Sequence, residues 1–294
     1  MLNSKYQWRG QRQALANKTS QLPMKVAIDF GVTNTDIAIQ DNNELIFHTF
    51  SAEKIDSAYI LKILSELNLN TEKITHIAVT GGKSSDLKNY INTIPIIKLN
   101  EIQAIGYGAR ELYEINDSKF LAVSTGTGTA CVSSADGEFN HLGGISIGGG
   151  TLQGLSNLIT GINNPNEIEK LSAIGNKNNL DALIGEVVNN IGSLNPDITA
   201  SNFCKARENT NHSIEDVVSS ISNMVGEVIG TIAYLNALLI GVDNVYFIGR
   251  VSAMNSVRNG IEKRLNLAGV TGNYIDNQEF GNAIGSIAYL NANT

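Results

Sequence analysis

The chain has little cysteine, little proline and no long basic run. Its 294 residues include 2 cysteines and 4 prolines, and its formal net charge at pH 7 is −7. We expect the two cysteines, Cys131 and Cys204, to be small core residues, with a disulfide or a nucleophile as the alternative. Their small number fits a reducing compartment, and no Cys/His spacing indicates zinc. The acidic balance argues against general binding to nucleic acid or to an anionic membrane. We therefore expect a cytoplasmic protein whose ligands are small molecules.

Long apolar runs are also missing. The uncharged and largely apolar run of most interest, residues 228–242, is flanked by Glu227 and Asp243 and is shorter than the ~20 apolar residues of a membrane helix. Residues 1–23 are polar, with only weak apolar patterning. We expect them to form a disordered extension, or one added to the natural chain. The alternative is an extra helix that docks on the body of the protein.

Glycine, by contrast, is abundant, with 28 residues, and its pattern is most informative at 123–132. There, glycines alternate with threonines between two β-rich runs. Glycine allows a close backbone approach to a ligand, while amide N–H groups and small hydroxyls can surround a phosphate chain. Phosphate-contacting residues are therefore predicted at Gly126, Thr127, Gly128 and Thr129. A second Gly/Thr turn follows the strand that ends near Asp29, which suggests a nucleotide held between two similar lobes.

The order of predicted elements supports two lobes. Three strands, a helix and further β and α elements fill residues 24–117, and three more strands begin a second lobe at 118–294, which carries a helical insertion. Residues 84–90 are predicted as a short helix and 273–275 as a strand. This doubled pattern predicts an α/β fold of two actin-like, ribonuclease-H-like lobes with a nucleotide cleft between them.

A long helix is predicted at residues 214–239. Its last turns are apolar on almost every side, so that end is predicted to be buried in the core or in a subunit interface. We expect the second arrangement, in a homodimer. Burial within one chain is the alternative.

Five segments follow one another in a distinctive order. They are Asp29-x-Gly31-x-Thr33, Thr80-Gly81-Gly82, Glu101, Gly126-Thr127-Gly128-Thr129 and the segment 143–155. This order resembles type II pantothenate kinases, which belong to the superfamily of acetate and sugar kinases, Hsp70 and actin. The resemblance covers residues 25–291. The 126–129 and 148–155 segments are specific in this order, whereas the Asp-x-Gly-x-Thr motif alone marks the whole superfamily.

The resemblance implies ATP-dependent phosphorylation of pantothenate, the first step of coenzyme A biosynthesis, with Mg²⁺ as cofactor. Glu101 would be the general base, although a carboxylate at a helix start can also serve only the helix dipole. Asp29 would hold a hydrated Mg²⁺, which prefers a few carboxylates with waters and phosphate oxygens. A homodimer and an acyl-coenzyme A inhibitor are further implications.

Further nucleotide contacts are expected from the resemblance. In the first loop they are Gly31, Thr33 and Asn34, and the alternative there is a plain β-turn. The glycines before the helix at 152–158 would present a helix N-terminus, a natural anion site. Gly249 would lie near the adenine, or would be only a turn glycine at a strand end. The expected contacts outside the first loop are Gly148, Gly149, Gly150, Gln153 and Gly249.

Substrate contacts are expected at His141, Gly143 and Gly144, where the chain departs from the family pattern. The family usually has an arginine at the position of His141 and a lysine at the position of Asp36. Histidine lacks the fixed charge and forked donors of arginine. Two alternatives therefore stay open: a kinase of this fold that acts on another small molecule, and a catalytically weak nucleotide- or coenzyme A-binding homologue.

Overall fold

A computed structural model describes residues 5–6, 23–42, 44–189, 195–208 and 212–294. The predicted N-terminal extension lies outside the described residues, apart from Lys5–Tyr6 and Pro23. The chain divides into two compact units. The first comprises Met1–Ser118, Gly137–Asn140 and Ile275–Thr294, and the second comprises Lys119–Asp136 and His141–Tyr274.

The first unit is built on a seven-stranded sheet of order β1-β4-β3-β2-β5-β7-β6. β2, β3 and β4 form an antiparallel meander, and β5 and β7 continue the sheet in parallel. The helices α1, α2 and α8 belong to this unit. The elements are β1 (Lys5–Tyr6), β2 (Met24–Phe30), β3 (Asn34–Asp41), β4 (Glu44–Ser51), α1 (Ser57–Glu66), β5 (Ile74–Thr80), β6 (Tyr90–Ile91), β7 (Ile94–Lys98), α2 (Glu101–Leu112) and α8 (Gly281–Asn293).

Both faces of this sheet are buried because β2 alternates large and small apolar residues. Val26, Ile28 and Phe30 belong to a cluster that includes Ile60 and Ile63 of α1. The opposite face has alanines on three neighbouring strands, which join a second cluster with residues of α8. The small side chains leave room for that helix to lie close to the sheet. The alanines are Ala27, Ala38 and Ala78.

The second unit repeats the antiparallel-then-parallel sheet, in the order β10-β9-β8-β13-β14. In the described part of this unit, the helices α3 to α7 and a small hairpin of β11 and β12 accompany the sheet. The two mixed α/β units confirm the predicted doubling. The elements are β8 (Phe120–Thr125), β9 (Thr129–Ala135), β10 (Glu138–Ile145), α3 (Gly149–Thr160), α4 (Pro165–Ile174), β11 (Ala182–Leu183), α5 (Ile184–Val187), β12 (Thr199–Ser201), α6 (Ile214–Ile240), β13 (Asn244–Ile248), α7 (Asn255–Leu267) and β14 (Thr271–Asn273).

Two local predictions differ from the structure. Residues 84–90 form only a 3₁₀ turn, Ser84–Asp86, before β6 begins. β6 then pairs with β7 across a turn in which Asn92 has a φ of 51°. The predicted strand at 273–275 lies two residues earlier, as β14, because its parallel register with β13 starts at Thr271. In both places sheet pairing overrides the local propensity.

The C-terminal helix belongs to the first unit, although the sequence places it in a second domain at 118–294. Glycines bring α8 against α2: a Cβ on Gly108 would lie 2.1 Å from the carbonyl oxygen of Gly281, and one on Gly285 would lie 2.0 Å from that of Ala104. Lys25 of β2 also donates to the Leu290 carbonyl at 3.1 Å. These close approaches explain the difference, because they join segments that are distant in sequence.

The long predicted helix is present as α6. One face of α6 is buried in the core of the second unit, and α6 and α7 are joined by an ion pair between Glu227 and Arg264 at 3.2 Å. Leu235, Leu238 and Leu239 remain 49%, 57% and 74% exposed. Burial within the chain is therefore wrong for these three leucines.

Among the described residues, α6 is the one helix with the length and hydropathy to cross a membrane, although the sequence predicts no membrane helix. Half of its most apolar stretch is buried within the protein. Core helices satisfy the same test of length and composition, so this finding is weak support for a membrane span.

The two cysteines are expected to differ sharply in reactivity. Cys131 is fully buried, and burial raises the pKa of its thiol to about 12. Its thiolate fraction at pH 8 is then about 10⁻⁴, whereas Cys204 is half-buried. We expect Ellman's reagent to titrate one thiol in the native protein and two after denaturation. Cys204→Ser should leave no rapidly reacting native thiol, and fast labelling of that variant would contradict the burial of Cys131.

Candidate functional site

A row of polar side chains crosses the sheet of the first unit. The register aligns Thr49 of β4, Asp36 of β3, Asp29 of β2 and Thr80 of β5. This row continues the face that carries the alanines packed against α8, because side chains two residues apart share a face. Asp36 is only 5% exposed and accepts a hydrogen bond from the Thr49 hydroxyl at 2.8 Å. The predicted metal ligand Asp29 therefore has a second carboxylate on the neighbouring strand.

Asn282 of α8 completes this polar row. Its side-chain Nδ2 donates to Asp29 Oδ2 at 3.1 Å. The buried Asn282 Oδ1 and Thr80 Oγ1 have no hydrogen-bond partner within the described parts of the chain. The sequence analysis did not identify Asn282, since no motif surrounds it. Its position beside a glycine in a helix of small residues was the only available signal.

The donor set of this row fits Mg²⁺. Carboxylate, hydroxyl and amide oxygens are hard ligands, and Mg²⁺ uses one or two carboxylates while keeping several waters. The described residues contain no group of three or more His, Cys, Asp or Glu side chains arranged to enclose a metal. A hydrated ion shared with phosphate oxygens needs no such group.

The first predicted phosphate loop connects β2 to β3. Gly31 is required by the turn itself, since a Cβ there would lie 2.7 Å from the carbonyl oxygen of Asn34. Thr33 anchors the loop through its carbonyl, which accepts from the Ala52 N–H at 3.2 Å. Beside it, Gly81 has a φ of 76°, and a Cβ there would lie 2.6 Å from Asp29 Oδ1. The glycine turn after β5 therefore allows the backbone to pass close to Asp29.

Glu101 is the first residue of α2. The helix is capped by Asn100, whose side chain accepts from the Gln103 N–H at 2.9 Å. Glu101 is exposed, and within the described part of the chain its carboxylate makes no hydrogen bond or ion pair. Capping is thus performed by the neighbouring residue. A favourable interaction with the helix dipole is still available to Glu101.

The Gly/Thr loop of the second unit joins β8 to β9 and is held at both ends. The buried Thr125 donates to the Ile248 carbonyl at 3.0 Å and accepts from the Ser252 N–H at 3.1 Å. Thr129 donates to the Ile147 carbonyl at 2.8 Å. The threonine hydroxyls at the two ends therefore fix the loop, and Gly126–Gly128 lie between them.

The helix start at Gly148–Gly150 has a role that the sequence did not predict. The N–H groups of Gly149 and Gly150 donate to the carbonyls of Gly126 and Thr127, at 2.8 and 3.0 Å. Those two amides are engaged in the protein, so the argument for an anion site at the first N–H groups of α3 fails for them. A Cβ on Gly148 would lie within 2.9 Å of three atoms of the loop. The glycines let α3 dock on the loop.

Gly126 differs from the other glycines of this region. A Cβ at Gly126 would meet no atom of the described residues within 4 Å, apart from its chain neighbours, and its φ is outside the left-handed range. A Cβ on Gly128 would lie 3.3 Å from the Ile145 carbonyl oxygen, which is a tight contact. Neither packing nor backbone conformation therefore requires glycine at position 126, and contact with a ligand there stays a prediction.

Two other predicted nucleotide contacts lie near this loop. Gly249 follows β13 with a φ of 94°, and a Cβ there would lie 2.5 Å from the carbonyl oxygen of Thr125. The turn alone therefore explains why glycine is needed at position 249, and a contact of Gly249 with adenine stays a prediction. Gln153 lies on α3, with its Nε2 3.8 Å from the position of a Cβ on Gly149.

The predicted substrate residues lie on β10. His141 is exposed and makes no hydrogen bond or ion pair with the described residues. Gly143 has a φ of 141°, which disfavours other residues, and a Cβ on Gly144 would lie 2.4 Å from the carbonyl oxygen of Thr129. The two glycines shape the strand, and the imidazole is left accessible to solvent.

Comparison with known proteins identifies relatives over most of the chain. The Fumble family model matches residues 116–261. The chain is 31% identical to a type II pantothenate kinase of Bacillus cereus over 239 residues, which are 78% of this chain and 84% of the relative. The type II pantothenate kinase of Staphylococcus saprophyticus is 27% identical and covers 90% of this chain and 99% of its own.

Solved structures share the fold at low identity. An activator of 2-hydroxyisocaproyl-CoA dehydratase from Clostridium difficile, with bound ADPNP, has a TM-score of 0.64 at 18% identity and covers 90% of this chain and 93% of its own. A glucokinase of the ROK family from Streptomyces griseus, in complex with glucose and AMPPNP, has a TM-score of 0.56 at 12% identity and covers 91% of this chain and 98% of its own. These likenesses confirm the actin-like fold class.

Proposed function

Because this chain belongs to the type II pantothenate kinase family, we propose that it transfers the γ-phosphate of ATP to the primary hydroxyl of pantothenate. The proposal places the reaction in the cytoplasm, at the first step of coenzyme A biosynthesis. An acyl-coenzyme A ligand would then act as an inhibitor.

The observation that carries the proposal is the open glycine at position 126. Apart from the chain neighbours of Gly126, no atom of the residues that the structure describes lies within 4 Å of a Cβ built there, although the loop is fixed at both ends. A triphosphate is suited to such a loop, because amide N–H groups and small hydroxyls can surround its oxygens. Gly126, Thr127, Gly128 and Thr129 would contact the phosphates, as would Gly31, Thr33 and Asn34 of the first loop.

Asp29 would hold a hydrated Mg²⁺ ion. Asp36, Thr80 and Asn282 lie next to Asp29 and would offer further oxygen atoms to the hydrated ion. When bound, the ion neutralises charge on the phosphate oxygens. The departure of Asp36 from the family pattern has a physical reason under this proposal, because an acidic side chain near a cation is favourable where one near phosphate alone is not.

Glu101 would act as the general base. It would accept the proton of the pantothenate hydroxyl as that oxygen forms a bond to the γ-phosphorus and the bond to the ADP oxygen breaks. Its exposed carboxylate is free of ion pairs among the described residues, and Asn100 already caps its helix. His141, Gly143 and Gly144 would contact the pantothenate.

Purified protein with ATP, Mg²⁺ and pantothenate tests this function. Formation of 4′-phosphopantothenate and ADP in equal amounts is the expected result. If ADP is released only with another acceptor, such as an N-acetylated sugar or another pantothenate-like amide, that acceptor and not pantothenate is the substrate. Binding of ATP or acyl-coenzyme A without turnover of any acceptor would assign the catalytically weak alternative.

Replacing His141 by arginine is expected to lower the Michaelis constant for pantothenate about tenfold, because a charge-assisted hydrogen bond contributes ~1.5–3 kcal/mol. Steady-state kinetics with varied pantothenate provide the measurement. His141→Gln is the matched control, since it is polar but lacks a fixed charge, and it should not lower the constant. An unchanged Michaelis constant in His141→Arg would remove this position from the substrate site.

A homodimer is expected to cover the exposed end of α6. Leu235, Leu238 and Leu239 lie together on one helix end, where apolar surface marks an interaction site. Leu239→Glu should convert the dimer to a monomer in sedimentation velocity. Leu267→Glu on α7, which is also exposed, is the control and should remain dimeric. A monomeric wild-type protein at micromolar concentration would contradict the proposed dimer.

A further inference from the structure

We propose that Asn282 is a positioning residue for Asp29, and that it orients this carboxylate toward the hydrated cation that accompanies ATP. The inference rests on the proposed function, since it assumes that Asp29 faces the cation. It concerns a residue of α8, the last helix of the chain, which none of the Gly/Thr motifs contains.

The direction of the hydrogen bond supports this role. Nδ2 of Asn282 lies 3.1 Å from Asp29 Oδ2 and donates to it. The reversed amide would direct its oxygen at an ionised carboxylate and would be repelled, so the charge of Asp29 fixes the amide orientation. The carboxylate in turn is held by a donor on a rigid helix.

The other end of the amide also points to a ligand. With Nδ2 on Asp29, the buried Oδ1 of Asn282 has no partner in the described chain, and the same holds for Oγ1 of Thr80 on the strand next to Asp29. Thr80 is fully buried. Unsatisfied buried oxygens carry a free-energy cost. Water molecules bound to a cation at Asp29 would supply the missing donors.

A capping role does not account for Asn282. Asparagine near a helix start is commonly a cap, but α8 has Phe280 at the cap position and no side-chain capping bond. Asparagine inside a helix is also less favourable than alanine. The contact with Asp29 is therefore the structural reason for asparagine at this position.

The backbone beneath Asn282 is held firmly. There is no room for a Cβ on Gly108 of α2, which would meet the carbonyl oxygen of Gly281, or on Gly285 of α8, which would meet that of Ala104. The helix on which Asn282 lies is thus packed directly on the helix that begins with Glu101. A rigid support of this kind is what a positioning side chain requires.

Mn²⁺ binding in the presence of ATP, followed by electron paramagnetic resonance, tests the proposal without measuring turnover. Asn282→Ala is expected to weaken Mn²⁺ binding about tenfold, because the variant loses one hydrogen bond to a charged group. The affinity for ATP measured in EDTA should stay unchanged. In the kinase assay kcat should fall with the Michaelis constant for pantothenate unchanged. Asn293→Ala on the same helix is the matched control, because Asn293 is exposed and bonds only to Tyr289.

The outcomes separate the two proposals. Wild-type Mn²⁺ affinity in folded Asn282→Ala would overturn the positioning role, whatever the substrate is. Asn282→Leu, which preserves the side-chain shape, provides a second variant, and failure of both variants to fold would show a purely structural role and equally overturn the inference. A wild-type protein that binds ATP without any dependence on Mn²⁺ would instead contradict the proposed function.

Discussion

Replacing Glu101 by glutamine is expected to lower kcat by about 10²–10⁴-fold, the usual contribution of a general base, and to leave ATP affinity nearly unchanged. The amide preserves the shape of the side chain but cannot accept the hydroxyl proton. Helix α2 should be unaffected, because Asn100 provides its cap and Glu101 makes no ion pair among the described residues. Turnover by steady-state assay and ATP affinity by calorimetry are the two measurements.

Glu114→Gln is the matched control for this substitution. Glu114 lies just beyond the other end of α2 and is also exposed, so the same chemical change there should leave kcat at the wild-type value. Full activity of Glu101→Gln would reduce Glu101 to a residue that interacts with the helix dipole. Equal losses in both variants would indicate a general effect on α2.

Gly126→Val is expected to weaken ATP binding on the order of 10²-fold without lowering thermal stability of the ligand-free protein. The Cβ of the added side chain meets no atom of the described residues within 4 Å other than those of its chain neighbours. It would instead occupy the space proposed for the phosphates. Calorimetric titration with ATP and a melting curve without ligand separate the two effects, and Gly126→Ala should give a smaller loss in affinity.

Gly148→Ala provides the contrast. Its Cβ would lie within 2.9 Å of three atoms of the Gly/Thr loop, so this smaller change should destabilise the folded protein by about 1–3 kcal/mol. A Gly126→Val protein that binds ATP like the wild type would remove the argument that a ligand requires this glycine. Lower ligand-free stability of Gly126→Val would instead show that the loop itself needs it.

Local pattern predicted most of the strands and helices because their apolar periodicity agrees with the fold. The meander β2–β4 and the helices α2 and α6 are examples. Errors occurred where distant segments decide the structure. Residues 84–90 have a helical composition but meet β7, and α8 joins the first unit through close glycine contacts with α2. Such contacts leave no periodic signal in a single sequence.

The candidate site was predictable where glycine and threonine alternate, and less so elsewhere. The sequence identified the 126–129 loop but could not show that carbonyl oxygens of this loop accept hydrogen bonds from the N–H groups of Gly149 and Gly150. It also treated Asp36 only as a departure from a family pattern, whereas the strand register places it opposite Asp29. Asn282 was missed because its partner lies 253 positions earlier in the chain.

The position of α8 has a consequence for the order in which the protein is assembled during synthesis. The alanine face of the first sheet and the polar row at its end are made early, but the helix that covers them is made after all segments of the second unit. Until residues 281–293 have left the ribosome, Ala27, Ala38 and Ala78 lack their partners from α8. The second unit, whose segments end at Tyr274, can close before that point. The first unit, most of which is translated before the second, is therefore completed after it.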